Sequence, residues 1–315
     1  MRGRSVMAKE KEAKAKSKGS FRRPSGKWTD ILPVAIIITM SIAIGCTLVF
    51  GLLFTTGVFK DLLLSVAGNE EDATLLGQYF SQITIWIAIF LVVLIVKFNR
   101  PMIQAVKPNK SGNNFIGILI GLALGFGANA SCVLLAVATG SFKLKYNGFN
   151  PGMMLLFFCA IIFQAAGEEI VMRFYLYQKL RRRYRNPWIA IIANGVVFML
   201  MHAMAPTITV WAVIQMILVS VICSLLVYCY DGIWIAMALH IAWNYSQLTV
   251  FGLPNSGTAC NSALFSIDGT AATGFFYDAE FGVEGSIGGV LVLSIICAFL
   301  IVKAIRSGEK NDLWA

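Results

Sequence analysis

Six polar residues set in apolar surroundings carry the chemistry that this chain can offer. Glu168, Glu169 and Arg173 share one hydrophobic block, His202 closes the next, and His240 and Asn244 lie in a third. His202 and His240 are the only two histidines in the chain. An ionisable group inside a membrane span costs about 2.5–3.5 kcal/mol on insertion scales, which makes each a functional candidate by default. Spacing then separates them. Glu169 and Arg173 are four apart with the acid first, the favourable order for a helical ion pair, and they are read as structural support. Glu168 points about 100° away, has no cation at that spacing, and is left for chemistry. His240 and Asn244 are also four apart and can address one substrate group together.

A carboxylate in an apolar site can take a proton from water, and a neighbouring imidazole can orient that water or pass the proton on. A His/Asn pair can donate to the oxyanion of a tetrahedral intermediate, worth about 2.7–4 kcal/mol per donor. Together these groups suffice for amide hydrolysis without a covalent intermediate. The bland alternative is a buried polar network that fixes helix packing or carries a proton. Zinc at Glu168, His202 and His240 is a second alternative, because two His and a Glu form the ligand set of some hydrolytic sites. Against zinc, a ligating His needs a carboxylate or carbonyl to fix its tautomer, and Glu169 is assigned to Arg173. No His-Glu-x-x-His, Gly-x-Gly-Asp or Gly-x-Ser-Gly occurs.

The surrounding chain must place these groups inside a bilayer. Hydrophobic residues make up 57% of it and charged residues only 13%, against about 25% charged in soluble domains. The apolar residues fall in blocks approaching the roughly 20 residues that a helical span needs. Eight blocks are drawn as helices, 31–54, 79–96, 115–139, 153–177, 188–203, 209–230, 233–251 and 286–302, with Pro206 forcing the turn after the fifth. The fold class expected is all-α, a polytopic membrane protein of about eight transmembrane helices. Residues 1–30 form a basic tail, 31–305 the transmembrane domain with its motif-bearing core at 153–251, and 306–315 a second tail.

Charge sets the orientation. With the N-terminus inside, twenty-two Lys and Arg fall on inner segments, five of them (Lys179, Arg181, Arg182, Arg183 and Arg185) in a connection after the fourth span. Only Lys60, Lys143 and Lys145 fall outside. By the positive-inside rule both termini are expected to be cytoplasmic. The same rule accounts for the net charge of +10, so no nucleic-acid partner is expected. The partners expected are the lipid bilayer and a membrane-associated peptide or protein. The outer segment 252–285 is Gly-rich and acidic, with Asp268, Asp278, Glu280 and Glu284, and reads as a variable surface loop ahead of a lid. Gly117, Gly121 and Gly125 recur every four residues and predict close helix packing. Of the seven cysteines only Cys260 lies outside the apolar blocks, so no disulfide outside the membrane is expected.

Three motifs stand in order on successive spans. Glu168–Arg173 fits E-E-x-x-x-R, Phe198–His202 fits F-x-x-x-H, and His240–Asn244 fits H-x-x-x-N. In this arrangement the chain resembles the CPBP family, which covers CAAX prenyl proteases of the Ras-converting type and bacteriocin-processing or abortive-infection proteins. The resemblance covers about 153–251. It implies an intramembrane endopeptidase in which Glu168 is the base on water, assisted by His202, with His240 and Asn244 as oxyanion hole and Glu169 and Arg173 in support. The family is often labelled metalloprotease, but its Ras-converting members imply a metal-free glutamate mechanism with no cofactor. A substrate that is prenylated, or of bacteriocin or signal type, would follow, in a bacterial plasma membrane. One departure is that Met172 and Phe174 flank Arg173 where the family usually has Phe before and Gly after. A bulky Phe174 is expected to reshape the cavity. The other function classes are a catalytically silent immunity or scaffold protein and a proton-coupled transporter using Glu168. Against the transporter, the chain shows no internal repeat.

Overall fold

The computed structural model describes residues 22–202 and 208–315. The expected tail before residue 22 and the turn at Pro206 lie outside the described residues. Five of the helices begin where a short polar side chain accepts a free first-turn N–H. Asn69 accepts from Asp72, Asn114 from Gly117, Asn150 from Met153, Thr209 from Ala212, and Ser286 from Gly289.

In chain order the helices are α1 (Leu32–Thr55), α2 (Gly57–Ala67), α3 (Glu70–Ser81), α4 (Ile83–Ile95), α5 (Phe115–Ala138), α6 (Pro151–Glu169), α7 (Tyr177–Arg183), α8 (Pro187–His202), α9 (Val210–Tyr230), α10 (Ile233–Tyr245) and α11 (Ile287–Ser307). A π-helical turn, Ile170–Leu176, joins α6 to α7, and another, Ser246–Val250, extends α10. Six helical runs are long and apolar enough to cross a membrane: α1, α3 with α4, α5, the run from α6 to α7, α9 and α11. The two remaining blocks drawn from the sequence are helical but shorter, as α8 and α10. The chain is therefore a largely helical membrane protein, with six rather than eight runs meeting the length requirement among the described residues.

The two ends of the bundle differ. At one end the basic residues after the fourth block continue the helix instead of forming a solvated connection. Lys179, Arg181 and Arg182 are buried there. Arg182 donates to both oxygens of the buried Asp30 at 2.6 Å and to Asn99 at 2.9 Å. Arg181 pairs with Glu309, and Arg23 with Asp312. The segment before α1, the end of α7 and the residues after α11 thus meet at one end of the bundle.

At the other end segment 252–285 is folded, which corrects its reading as a variable surface loop. Strand β1 (Lys143–Tyr146) pairs antiparallel with β2 (Phe265–Asp268). Asp72 accepts from the Asn261 backbone N–H at 2.8 Å and from Ser262 Oγ at 2.6 Å. The segment is therefore pinned to the helix carrying Asp72 and to the connection that holds β1.

Two of the three spaced glycines pack as expected. A Cβ on Gly121 would lie 2.4 Å from the Ile235 carbonyl, and one on Gly125 would lie 2.1 Å from that of Leu239. Glycine here lets α5 meet α10, the helix that carries His240 and Asn244. Gly117 differs, because its Cβ would meet the Gly112 carbonyl of its own preceding turn.

Candidate active site

Glu168 and Glu169 end α6, where the backbone widens into the π-helical turn, a distortion frequent at functional sites. Glu169 Oε1 accepts from Arg173 Nη1 at 2.9 Å, and both side chains are fully buried. Arg173 Nη2 donates on to the Ser220 carbonyl at 2.7 Å and to its hydroxyl at 2.9 Å. The ion pair inferred from spacing is present and is bolted to α9.

Glu169 has a second partner. His240 Nδ1 lies 2.9 Å from the same Oε1, and a carboxylate oxygen can only accept, so Nδ1 carries the proton. This corrects the expectation that Glu169 serves Arg173 alone, and with it the argument that His240 lacks a carboxylate to fix its tautomer. His240 Nε2 then faces Glu168 Oε2 at 3.7 Å. His202 Nδ1 lies 2.9 Å from the Phe198 carbonyl, so it too donates from Nδ1 and leaves Nε2 open in the neutral ring. Phe198 lies tilted against His202 with centroids 4.7 Å apart and meets His240 edge-on at 5.9 Å, so one ring touches both imidazoles.

Glu168, His202, His240 and Asn244 line one cavity, together with Gln164, Gln215, Trp243, Ser256 and Glu284. Its volume is about 30 Å³, enough for one or two waters. Glu168 Oε1 accepts from Gln164 Nε2 at 2.7 Å. Its Oε2 is buried and has no hydrogen-bond partner among the described residues. Asn244 Nδ2 donates to Gln164 Oε1 at 3.0 Å, so one glutamine joins the carboxylate to the amide across the cavity.

Phe174 does not line the cavity. It is fully buried and tilts against Phe90, centroids 5.0 Å apart, because the widened turn directs it towards α4. The expected reshaping of the cavity by Phe174 is thus not found. No group of three or more His, Cys, Asp or Glu side chains placed to hold a metal occurs among the described residues. The alternative zinc set Glu168, His202 and His240 is not gathered as such a group.

Gln164, Gln215 and Glu284 also line the cavity and are not marked by charge within a span. Gln164 is uncharged, although its place four residues before Glu168 puts it on the same face. Glu284 lies in the outer segment, where no periodicity marks it. It accepts from Trp243 Nε1 and Asn255 Nδ2, both at 2.9 Å, and from the Ser256 backbone N–H at 2.6 Å. Burial pushes its carboxyl above the usual range, against the pull of the Ser256 and Trp243 N–H donors. Asn255 also approaches Asn244 Oδ1 at 3.4 Å. The folded segment 252–285 thereby closes one side of the cavity.

Residues 150–246 match the family model described as Type II CAAX prenyl endopeptidase Rce1-like. Neither the curated proteins nor the solved structures gave a match. The matched region holds all six residues singled out from the sequence, while Glu284 and Asn255 lie beyond it.

Proposed function

We propose that this chain, similar over residues 150–246 to the CAAX prenyl endopeptidase family, cleaves a peptide bond of a membrane-associated substrate with water activated by Glu168. The matched family implies intramembrane protease activity of the CAAX type. The observation that carries it is the open oxygen of Glu168. A buried acceptor without a partner costs about 1–3 kcal/mol, and this one faces a water-sized cavity beside two histidines and an asparagine.

A water in the cavity donates one proton towards Glu168 Oε2 and is oriented by the open Nε2 of His202. As its oxygen attacks the carbonyl carbon, that proton passes to Glu168 and the carbonyl oxygen becomes an oxyanion. Asn244 Nδ2 and His240 Nε2 donate to it. With Nδ1 already donating to Glu169, His240 can donate from Nε2 only as the imidazolium, a form suited to its place between two carboxylates. Collapse of the intermediate breaks the C–N bond, and Glu168 returns its proton to the leaving amine.

The test is direct. The purified protein in vesicles is mixed with a prenylated peptide ending in a CAAX sequence, with the unprenylated form, and with an unrelated lipid-anchored peptide. Products are read by mass spectrometry. The reading expects release of a C-terminal fragment from at least one anchored peptide, and the pair differing only in the prenyl group decides whether that group is recognised. Intact peptides in every vessel, with folded protein, would defeat it.

A further inference from the structure

The same cavity holds a side chain with no work assigned to it. Gln215, in the first turns of α9, is only 2% exposed, and neither its Oε1 nor its Nε2 has a hydrogen-bond partner among the described residues. Other buried amides with an open atom keep one bond. Asn129 donates to Gln247 and Asn194 to the Ala190 carbonyl. Gln215 alone among the described residues is open at both ends, and it lines the cavity with Glu168 and Asn244.

Its placement is built into the fold. Five residues further along α9, Ser220 is held by Arg173, which fixes α9 against the helix bearing Glu168. On the other side stands Gly289, where a Cβ would lie 2.5 Å from Gln215 Oε1. Glycine at 289 leaves the room that the carboxamide occupies. Leaving both ends of a buried amide dry costs about 1–3 kcal/mol for each group, so something polar must meet it when the protein works. The cavity's other polar groups are taken: Glu284 is saturated by N–H donors, Gln164 spans Glu168 and Asn244, and the open atoms of Glu168 and the histidines serve the water and the oxyanion.

We infer that Gln215 is a substrate-contacting residue, its carboxamide pairing with a backbone peptide unit of the chain laid against Glu168. A carboxamide offers one donor edge and one acceptor edge in a plane, the complement of a peptide N–H and C=O. The ligand class is therefore an extended peptide backbone, read independently of its side chains. This inference rests on the hydrolase reading above.

The experiment uses Gln215→Met, close in shape but without polar ends. Stability is measured by thermal unfolding in detergent, and cleavage with peptides in which each bond flanking the scissile one is replaced in turn by an ester, which lacks the N–H. The variant is expected to lose about tenfold in kcat/KM, less than removal of an oxyanion donor costs, while its unfolding temperature stays level or rises because an unpaired amide is gone. At one ester position the wild type should lose a similar factor and Gln215→Met should lose no more. Unchanged kcat/KM, a lower unfolding temperature, or additive losses at every ester position would overturn the contact. If the wild type cleaves no anchored peptide, the hydrolase reading fails and the contact falls with it. A lower unfolding temperature in Gln215→Met would instead reveal a structural amide whatever the activity.

Discussion

Glu168 and Glu169 are neighbours in sequence, yet the fold gives them unlike surroundings. Glu169 compensates a fully buried Arg173 and orients His240, whereas Glu168 keeps one oxygen open to the cavity. Removing one partner of a buried ion pair costs about 3–5 kcal/mol because the other charge is left stranded. Glu169→Gln is therefore expected to lower thermal stability by that order, while Glu168→Gln unfolds near the wild-type temperature. Unfolding curves in one detergent compare them, and equal stabilities would refute the division. Much of this was legible from charge and spacing: the Glu169–Arg173 pair and the His240/Asn244 face followed from four-residue intervals. The dual role of Glu169 was not legible, since a contact between α6 and α10 leaves no mark in either helix. Gln164 and Gln215 were missed because a search for ionisable groups passes over amides, although an amide in an apolar span is also costly to bury.

Among the elements, α5 carries none of the chemistry but sets the position of the helix that does. Gly121 and Gly125 bring its backbone against the Ile235 and Leu239 carbonyls, and Leu239 adjoins His240. Overpacking costs about 1–3 kcal/mol in a well-packed interior. Gly125→Val, whose Cβ would lie 2.1 Å from the Leu239 carbonyl, is expected to exceed the lower end of that range and to shift α10. Gly127→Val is the control, because a Cβ there meets nothing within 4 Å. Thermal unfolding should separate the two, and indistinguishable variants would remove α5 from the account. The four-residue glycine repeat made this packing readable, though not which helix receives it. The outer segment 252–285 was unreadable for a physical reason. Its Gly-rich, acidic composition matches that of loops that stay flexible, and long-range contacts hold it in place: β1 to β2, Asp72 to Asn261 and Ser262, Glu284 to Trp243, and the buried Tyr277 and Phe281.

For the molecule as a whole, the eight apolar blocks were found in the sequence because a bilayer demands long apolar runs, and all eight are helical here. The run lengths were less readable. The fourth block, running from α6 to α7, continues into residues that composition assigns to a connection, since Asp30, Glu309 and Asp312 neutralise its arginines. The gathering of the segment before α1 with the residues after α11 at one end agrees with the charge count, and we propose that this end is cytoplasmic. What the assembly accomplishes is to hold an open carboxylate, two imidazoles and an amide around a cavity of about 30 Å³ within an apolar bundle. Removing the open carboxylate while keeping its shape tests that claim most directly. Wild-type and Glu168→Gln proteins, matched for unfolding temperature and reconstituted side by side in vesicles, are each given the anchored peptide that the wild type cleaves best. The account predicts product from the wild type and at least about a hundredfold less from Glu168→Gln, of the order lost with a group acting in the transition state. Cleavage by Glu168→Gln at a rate close to the wild type would contradict it.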